Sequence, residues 1–156
     1  MANEMLNVKK SFEIRVAAQL EISTSIDWQG TVFNAQAVTE WVEPRLLGET
    51  STAMRKGERF ELWTAQFNCY ARTGFDEFGA QRETTHRVWE LADLVLTAFG
   101  QHDLAVLDHA DGETPEIFRL RFDEGSVTPV PASGVVDEAL ANLQQLNVSF
   151  NPTLIG

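Results

Sequence analysis

The chain has one cysteine, Cys69, which excludes an intrachain disulfide. No apolar run approaches the roughly 20 residues that a helix needs to cross a bilayer, so no membrane partner is expected. The opening MANEMLNVKKSF lacks the basic, apolar and small-residue order of a secretory signal. These absences predict a soluble protein made in a reducing cytoplasm. Basic residues are also scarce. The 156 residues hold 12 Lys and Arg against 23 Asp and Glu, a net charge of −11, and neither Lys nor Arg follows Arg121. A primary role in gripping phosphate backbones is thereby disfavoured, because neutralising them needs clustered cations. There is no Walker loop, dinucleotide fingerprint, HExxH or GxSxG, and no His or Cys cluster has zinc-ligand spacing. No cofactor or metal is expected, and the chain does not read as an enzyme.

What the chain does hold is enough apolar surface for a core. It is 44% hydrophobic, 10% aromatic and 22% charged, over a length that predicts a single domain at 1–156. The charge is uneven: residues 1–72 are net −1 and residues 73–156 net −10. Such asymmetry either keeps a protein in solution or marks a surface that faces a basic partner or excludes nucleic acid.

Met5, Val8, Phe12, Val16 and Leu20 recur at spacings of three and four, which predicts an amphipathic helix over 5–22 capped by Asn3 or Asn7. Residues 22–26 favour extended structure, and 28–34, with Gly30, reads as a short strand after a turn. TEWVEPRLL at 39–47 reads as a strand whose Pro44 cannot donate to a ladder, so it belongs at an edge or a bulge. Residues 48–57 read as a polar loop of about the length at which loops tend to carry function. The clearest pattern is 60–72, where Trp63, Ala65, Phe67, Cys69 and Ala71 alternate with Thr64, Gln66, Asn68, Tyr70 and Arg72. Strict alternation means a long strand with one dry and one polar face.

A second helix is expected to begin near 76–79 and end at Phe99, with Val88, Leu91, Ala92, Val95, Ala98 and Phe99 as its apolar stripe and Gly100 as its terminator. Residues 104–122 read as a β-hairpin turning at Asp111 and Gly112. Residues 126–130 add a short strand, and Leu146, Val148 and Phe150 alternate in a last strand ending at Pro152. Residues 135–144 fit either a helical turn or an extended lead-in. The order predicts an α+β domain, a mainly antiparallel β-sheet with two principal α-helices packed on one face.

Asp108, His109 and Asp111 place an imidazole between carboxylates, and a small hydrolase built on them is one alternative reading; turn chemistry accounts for the same residues. Cys69, on the dry face, reads as a small buried hydrophobe. Trp63 and Trp41 read as core, whereas Trp89 lies beside the helical stripe, where an interface anchor would sit. The polar face of the long strand is broader than two helices need cover. It meets water or another subunit, and exposed sheet edges invite strand addition.

The amphipathic first helix, TrpValGluProArg at 41–45, the strand ERFELWTAQFNCYAR ending at ThrGly, the helix segment LADLVLTAF and the closing LNVSF at 146–150 together resemble the tail terminator proteins of long-tailed bacteriophages. The resemblance covers about residues 5–150. At the entrance to the second helix, ThrGlyPheAspGluPheGly stands where such proteins often carry proline. The resemblance implies a virion structural protein of the tail or neck, assembled in the host cytoplasm. It would form a homohexameric ring on the tail tube protein, end tube polymerisation and present its other face to the head–tail connector or stopper protein. DNA would only pass through the ring channel, whose walls the acidic half would keep from sticking. Exposure and residue type suggest the loop 48–59, with Arg55, Lys56 and Arg59, for reaching a neighbour or the tube, and Trp41 with Arg45 for supporting it. Gln66, Asn68, Tyr70 and Arg72 complete the candidate interface. The alternatives are a head–tail connector stopper and an acidic protein-binding module that mimics nucleic acid.

Overall fold

The computed structural model describes residues 4–52, 59–72, 80–109, 115–130 and 143–155. Helix α1 (Glu4–Val16) runs directly into a π-helical turn, Ala17–Glu21. Val8, Phe12, Val16 and Leu20 are buried along this rod, as their spacing requires. Asn7 is not a cap. It lies a turn inside the helix, buried, and its Oδ1 accepts the His109 amide at 3.1 Å.

The strand expected at 28–34 does not form. Thr31 donates its amide and its hydroxyl back to the Trp28 carbonyl, at 3.2 and 2.8 Å, and Gly30 takes φ 84°. Val32 is wholly exposed. A turn that closes on itself leaves no extended edge to pair, and the left-handed glycine fixes it. A 3-10 turn, Ala35–Ala37, follows.

Strands β1 (Glu40–Thr52) and β2 (Arg59–Arg72) pair antiparallel from Glu40↔Ala71 to Thr52↔Arg59. Residues 48–52 therefore continue a strand, and Arg59 opens the next one; neither belongs to a loop. Pairing with a committed partner outweighs the low strand preference of Gly48, Glu49 and Ser51. The segment 53–58, with Arg55 and Lys56, lies outside the described residues, as do the turns at 73–79 and 110–114. Helix α2 (Ala80–Phe99) buries Val88, Leu91, Ala92, Val95, Ala98 and Phe99. Its terminator is a correction in detail, because the left-handed residue is Gln101 (φ 59°), one place later. Gly100 serves instead as a point of close approach, since a Cβ there would stand 2.6 Å from the Leu96 carbonyl oxygen.

Strands β3 (His102–Leu107) and β4 (Glu116–Phe122) form the expected hairpin, followed by β5 (Ser126–Val130) and β6 (Leu143–Phe150). β6 is not the last strand. Pro152 interrupts the chain, and β7 (Thr153–Ile155) then pairs with β4, too short to leave a pattern in the sequence. The strands divide between two sheets, β1-β2-β6-β5 and β3-β4-β7, and every pair of named strands is antiparallel.

The dry face of β2, with Trp63, Ala65, Phe67, Cys69 and Ala71 all buried, receives both helices. Phe67 sits 5.6 Å from Phe12 of α1 and 4.9 Å from Phe99 of α2, ring to ring. Phe122 of the second sheet and Phe150 of β6 complete the cluster, at 5.2 and 6.4 Å from Phe99. Burying each such side chain stabilises the fold by about 1.5–3 kcal/mol, and tilted ring pairs add about 0.5–1.5. One aromatic centre thus joins two sheets and two helices.

Candidate functional site

The other face of β2 is built differently. Register places Trp41, Glu43 and Arg45 of β1 beside Tyr70, Asn68 and Gln66, and β6 brings Gln145, Asn147 and Ser149 to the same three levels. Thr128 of β5 extends the middle row. Apart from buried Trp41 and exposed Thr128 these side chains are half-buried, and the amides among them are bonded to one another. Gln66 Nε2 donates to Asn68 Oδ1 (2.9 Å), Asn68 Nδ2 to Glu43 Oε1 (2.8 Å), and Gln145 Nε2 to Asn147 Oδ1 (2.9 Å). Such a lattice of amides is held in place by its own bonds and still offers donors and acceptors outward.

At the root of β1 the face becomes aromatic. Trp41 stacks on Tyr70 at 4.9 Å, with Phe33 tilted against it at 5.9 Å, and the Arg72 guanidinium lies 5.8 Å from the indole centre. Arg72 also donates to the carbonyls of Ala35 and Val38, the latter at 2.6 Å. Arg45 donates to the carbonyl of Asp27 at 2.8 Å and stands 3.7 and 3.5 Å from the carboxylates of Asp27 and Glu43. Both arginines therefore pin residues 27–38 against the sheet. Trp41 and Arg45 are engaged here with Tyr70 and with residues 27–38, at the end of β1 away from Thr52. Trp41 is buried, but on this face, outside the aromatic core.

Burial leaves its mark on ionisation. The Tyr70 phenol is pushed up to about 12, chiefly by burial and then by the neighbouring Glu43 carboxylate. Burial, with a hydrogen bond that the protonated Asp27 carboxyl donates to Glu43, also raises Asp27, against the pull of Arg45. On the dry side Cys69 is pushed up to about 12 by burial alone, so its thiol is not a nucleophile at neutral pH.

β6 pairs with β2 only over Ala65–Arg72. Beyond that, residues 47–52 and 59–64 pair only with each other among the described residues, a two-stranded ribbon of roughly 20 Å. A free ribbon of this kind is marginal in water and gains from a surface to lie on. The outer edge of β1 is less open than expected. Val42 exchanges backbone hydrogen bonds with Ser25 and Asp27 (3.0 and 2.9 Å), so its N–H and C=O point outward, and the two-residue period places the nitrogen of Pro44 on the same side. One outward position is already occupied and the next has no donor, so strand addition is blocked there.

At the same root a groove of about 500 Å³ opens between α2, the turn after the π-helical segment and β1. Glu40, Glu90 and Asp93 line it with Arg87, Thr24 and Leu94. Arg87 bonds Glu40 (2.9 Å) and Glu90, and these bonds raise its pKa.

The histidine segment has a structural occupation. The Leu107 amide donates to Ser11 Oγ (3.0 Å), which lies 3.2 Å from His109 Nε2, while Asn7 takes the His109 amide. These bonds clamp α1 to the end of β3, and Asp111 lies outside the described residues. Ser11 was not singled out by the sequence, and Asn7 only as a helix cap; two small polar residues within the buried stripe were the available signal.

No protein-family model and no curated protein matches the chain. Solved structures with a similar fold exist. One of them aligns with a TM-score of 0.62 over 98% of this chain and 96% of its own, at 11% sequence identity. That likeness establishes the fold alone.

Proposed function

We propose that this chain is a phage tail terminator, a structural protein that caps the end of the tail tube as a homohexameric ring and forms the interface to the head connector. The observation that carries the reading is the β1–β2 ribbon standing beyond the four-stranded sheet, beside an uncovered face of mutually bonded amides. A ring needs one surface that reaches out and another that receives, repeated around an axis. The ribbon is a means of reach, and the amide face is suited to polar, shape-dependent contact with a neighbour or the tube. Its activity is binding and geometry without turnover.

The test is to add purified protein to growing tail tubes and measure their lengths and ends by electron microscopy. Binding at tube ends with arrested growth is expected. A protein that stays monomeric and neither binds tubes nor alters their length sinks the reading. Partnership with the portal side alone would favour the stopper. A second class, an acidic module that binds a basic protein, draws on the net −10 of residues 73–156 and on exposed Asp123 and Glu124. It requires association with a basic partner that fades as salt rises.

A further inference from the structure

We infer that the α2–β1 groove binds a small linear aliphatic amine that carries two or more ammonium groups, a diamine or polyamine. Three carboxylates, Glu40, Glu90 and Asp93, stand in the groove against the single guanidinium of Arg87. Two negative charges are therefore left uncompensated, and the groove selects cations. Arg87 is bonded to Glu40 and Glu90, whereas the Asp93 side chain has no ion pair or hydrogen bond among the described residues. Thr24 is the second group without a partner. It lines the groove and is 7% exposed; its amide is taken by the Leu20 carbonyl (3.0 Å), and its hydroxyl has no partner among the described residues. A hydroxyl so far withdrawn from water gains from any hydrogen bond that a ligand brings to it.

The shape and spacing of these groups decide which cation fits. No three Asp, Glu, His or Cys side chains among the described residues are arranged to hold a metal ion, which points to an organic cation. Arg87, Glu90, Leu94 and Thr97 follow one another at spacings of three and four along α2. They share one helix face, about 15 Å long at helix rise, so the groove has an elongated wall. An ammonium donates three hydrogen bonds and accepts none. Asp93 and Thr97 on the α2 wall and Thr24 on the opposite one supply acceptors for it. Leu94, 43% exposed, lies between the polar positions and offers methylene groups an apolar surface. Glu40 and Glu90, which share one guanidinium between them, keep charge for a second ammonium. A volume of about 500 Å³ is that of a small-molecule site. Binding of this kind is independent of how copies of the chain assemble.

The experiment is titration calorimetry of the full-length protein with spermidine, putrescine, n-butylamine and magnesium chloride, each variant being checked for a native circular dichroism spectrum. Saturable binding of one spermidine per chain is expected, weaker for putrescine and weakest for butylamine, with magnesium unable to displace the amine. Asp93→Asn should weaken spermidine about fivefold. Thr24→Val should weaken it about threefold, and Thr24→Ser, which keeps the hydroxyl, should bind as the wild type does. Glu124→Gln removes the same charge as Asp93→Asn from exposed surface outside the groove, and should leave the affinity unchanged. Three results would each show attraction to an acidic protein at large and overturn the site: binding that does not saturate, displacement by magnesium, or equal losses in Asp93→Asn and Glu124→Gln. No binding of spermidine, or a Thr24→Val protein that binds it like the wild type, would overturn the site as well. None of these results bears on tube capping, which the tube-end assay decides separately.

Discussion

The two faces of the sheet β1-β2-β6-β5 are written in alternate residues of the same strands, yet they cohere by different means. On one, Phe67 meets Phe12, Phe99 and Phe150, and both helices close over it. On the other, Gln66, Asn68 and Glu43 are joined by directed bonds, and no described helix lies over them. The first face gains from removing apolar area from water, a force without direction that tolerates any partner of the right volume. The second gains little from burial, but it fixes the positions of its donors and acceptors, as recognition of a partner requires. One side of the strand thereby carries the stability, and the other an ordered array of donors and acceptors.

The largest break in this comparison should come from Phe67→Ala. It empties the centre of the aromatic cluster and should cost about 3–5 kcal/mol in urea unfolding. On the polar face, Trp41→Ala removes the stack on Tyr70 and the seat of the Arg72 guanidinium. We expect about 2–3 kcal/mol, from lost apolar burial and the cation–π contact. A smaller loss would mean that residues 27–38 hold to the sheet without it.

Neighbouring residues report the two faces in one titration, since Cys69 and Tyr70 are the chain's only cysteine and only tyrosine. Both are raised to about 12, from 9.0 and 10.0. Tyrosinate absorbance should therefore appear near pH 12 in the folded protein, and a thiol reagent should find Cys69 only after denaturant is added. The unfolded chain releases these protons first, so stability should hold below about pH 9 and fall as pH rises toward 12. Ionisation of Tyr70 near 10 would show that its face is wetter than the stacked geometry implies. The smallest effect should be Asn68→Ala, at about 0.5–1 kcal/mol, because water replaces the lost partners of Gln66 and Glu43 on a half-exposed surface. A larger cost would make the amide lattice a structural element in its own right.

The dry face was legible in the sequence because period two and apolar side chains are local signals, and β2 and the stripe of α2 followed from them. So did the edge position of β1, through Pro44. The ribbon was not legible. Residues 48–52 are polar and glycine-led, and only their pairing with 59–64 makes them a strand. β7 depends on a single neighbour, β4, far from it in the chain. At the candidate site, Gln66, Asn68 and Tyr70 could be placed on one face by counting. That Arg45 and Arg72 reach back to the carbonyls of Asp27, Ala35 and Val38 could not, since it depends on the path of a segment without regular structure.

Pro44 has a further consequence, for how the purified protein behaves when concentrated. Any residue with an amide hydrogen at that position would give β1 an outward donor beside the occupied bonds of Val42, and so a foothold for another molecule's strand. Growth along strand edges is cumulative and hard to reverse, as in cross-β fibres. The pyrrolidine ring that replaces this amide hydrogen is therefore expected to extend the protein's shelf life by closing one route to open-ended aggregation.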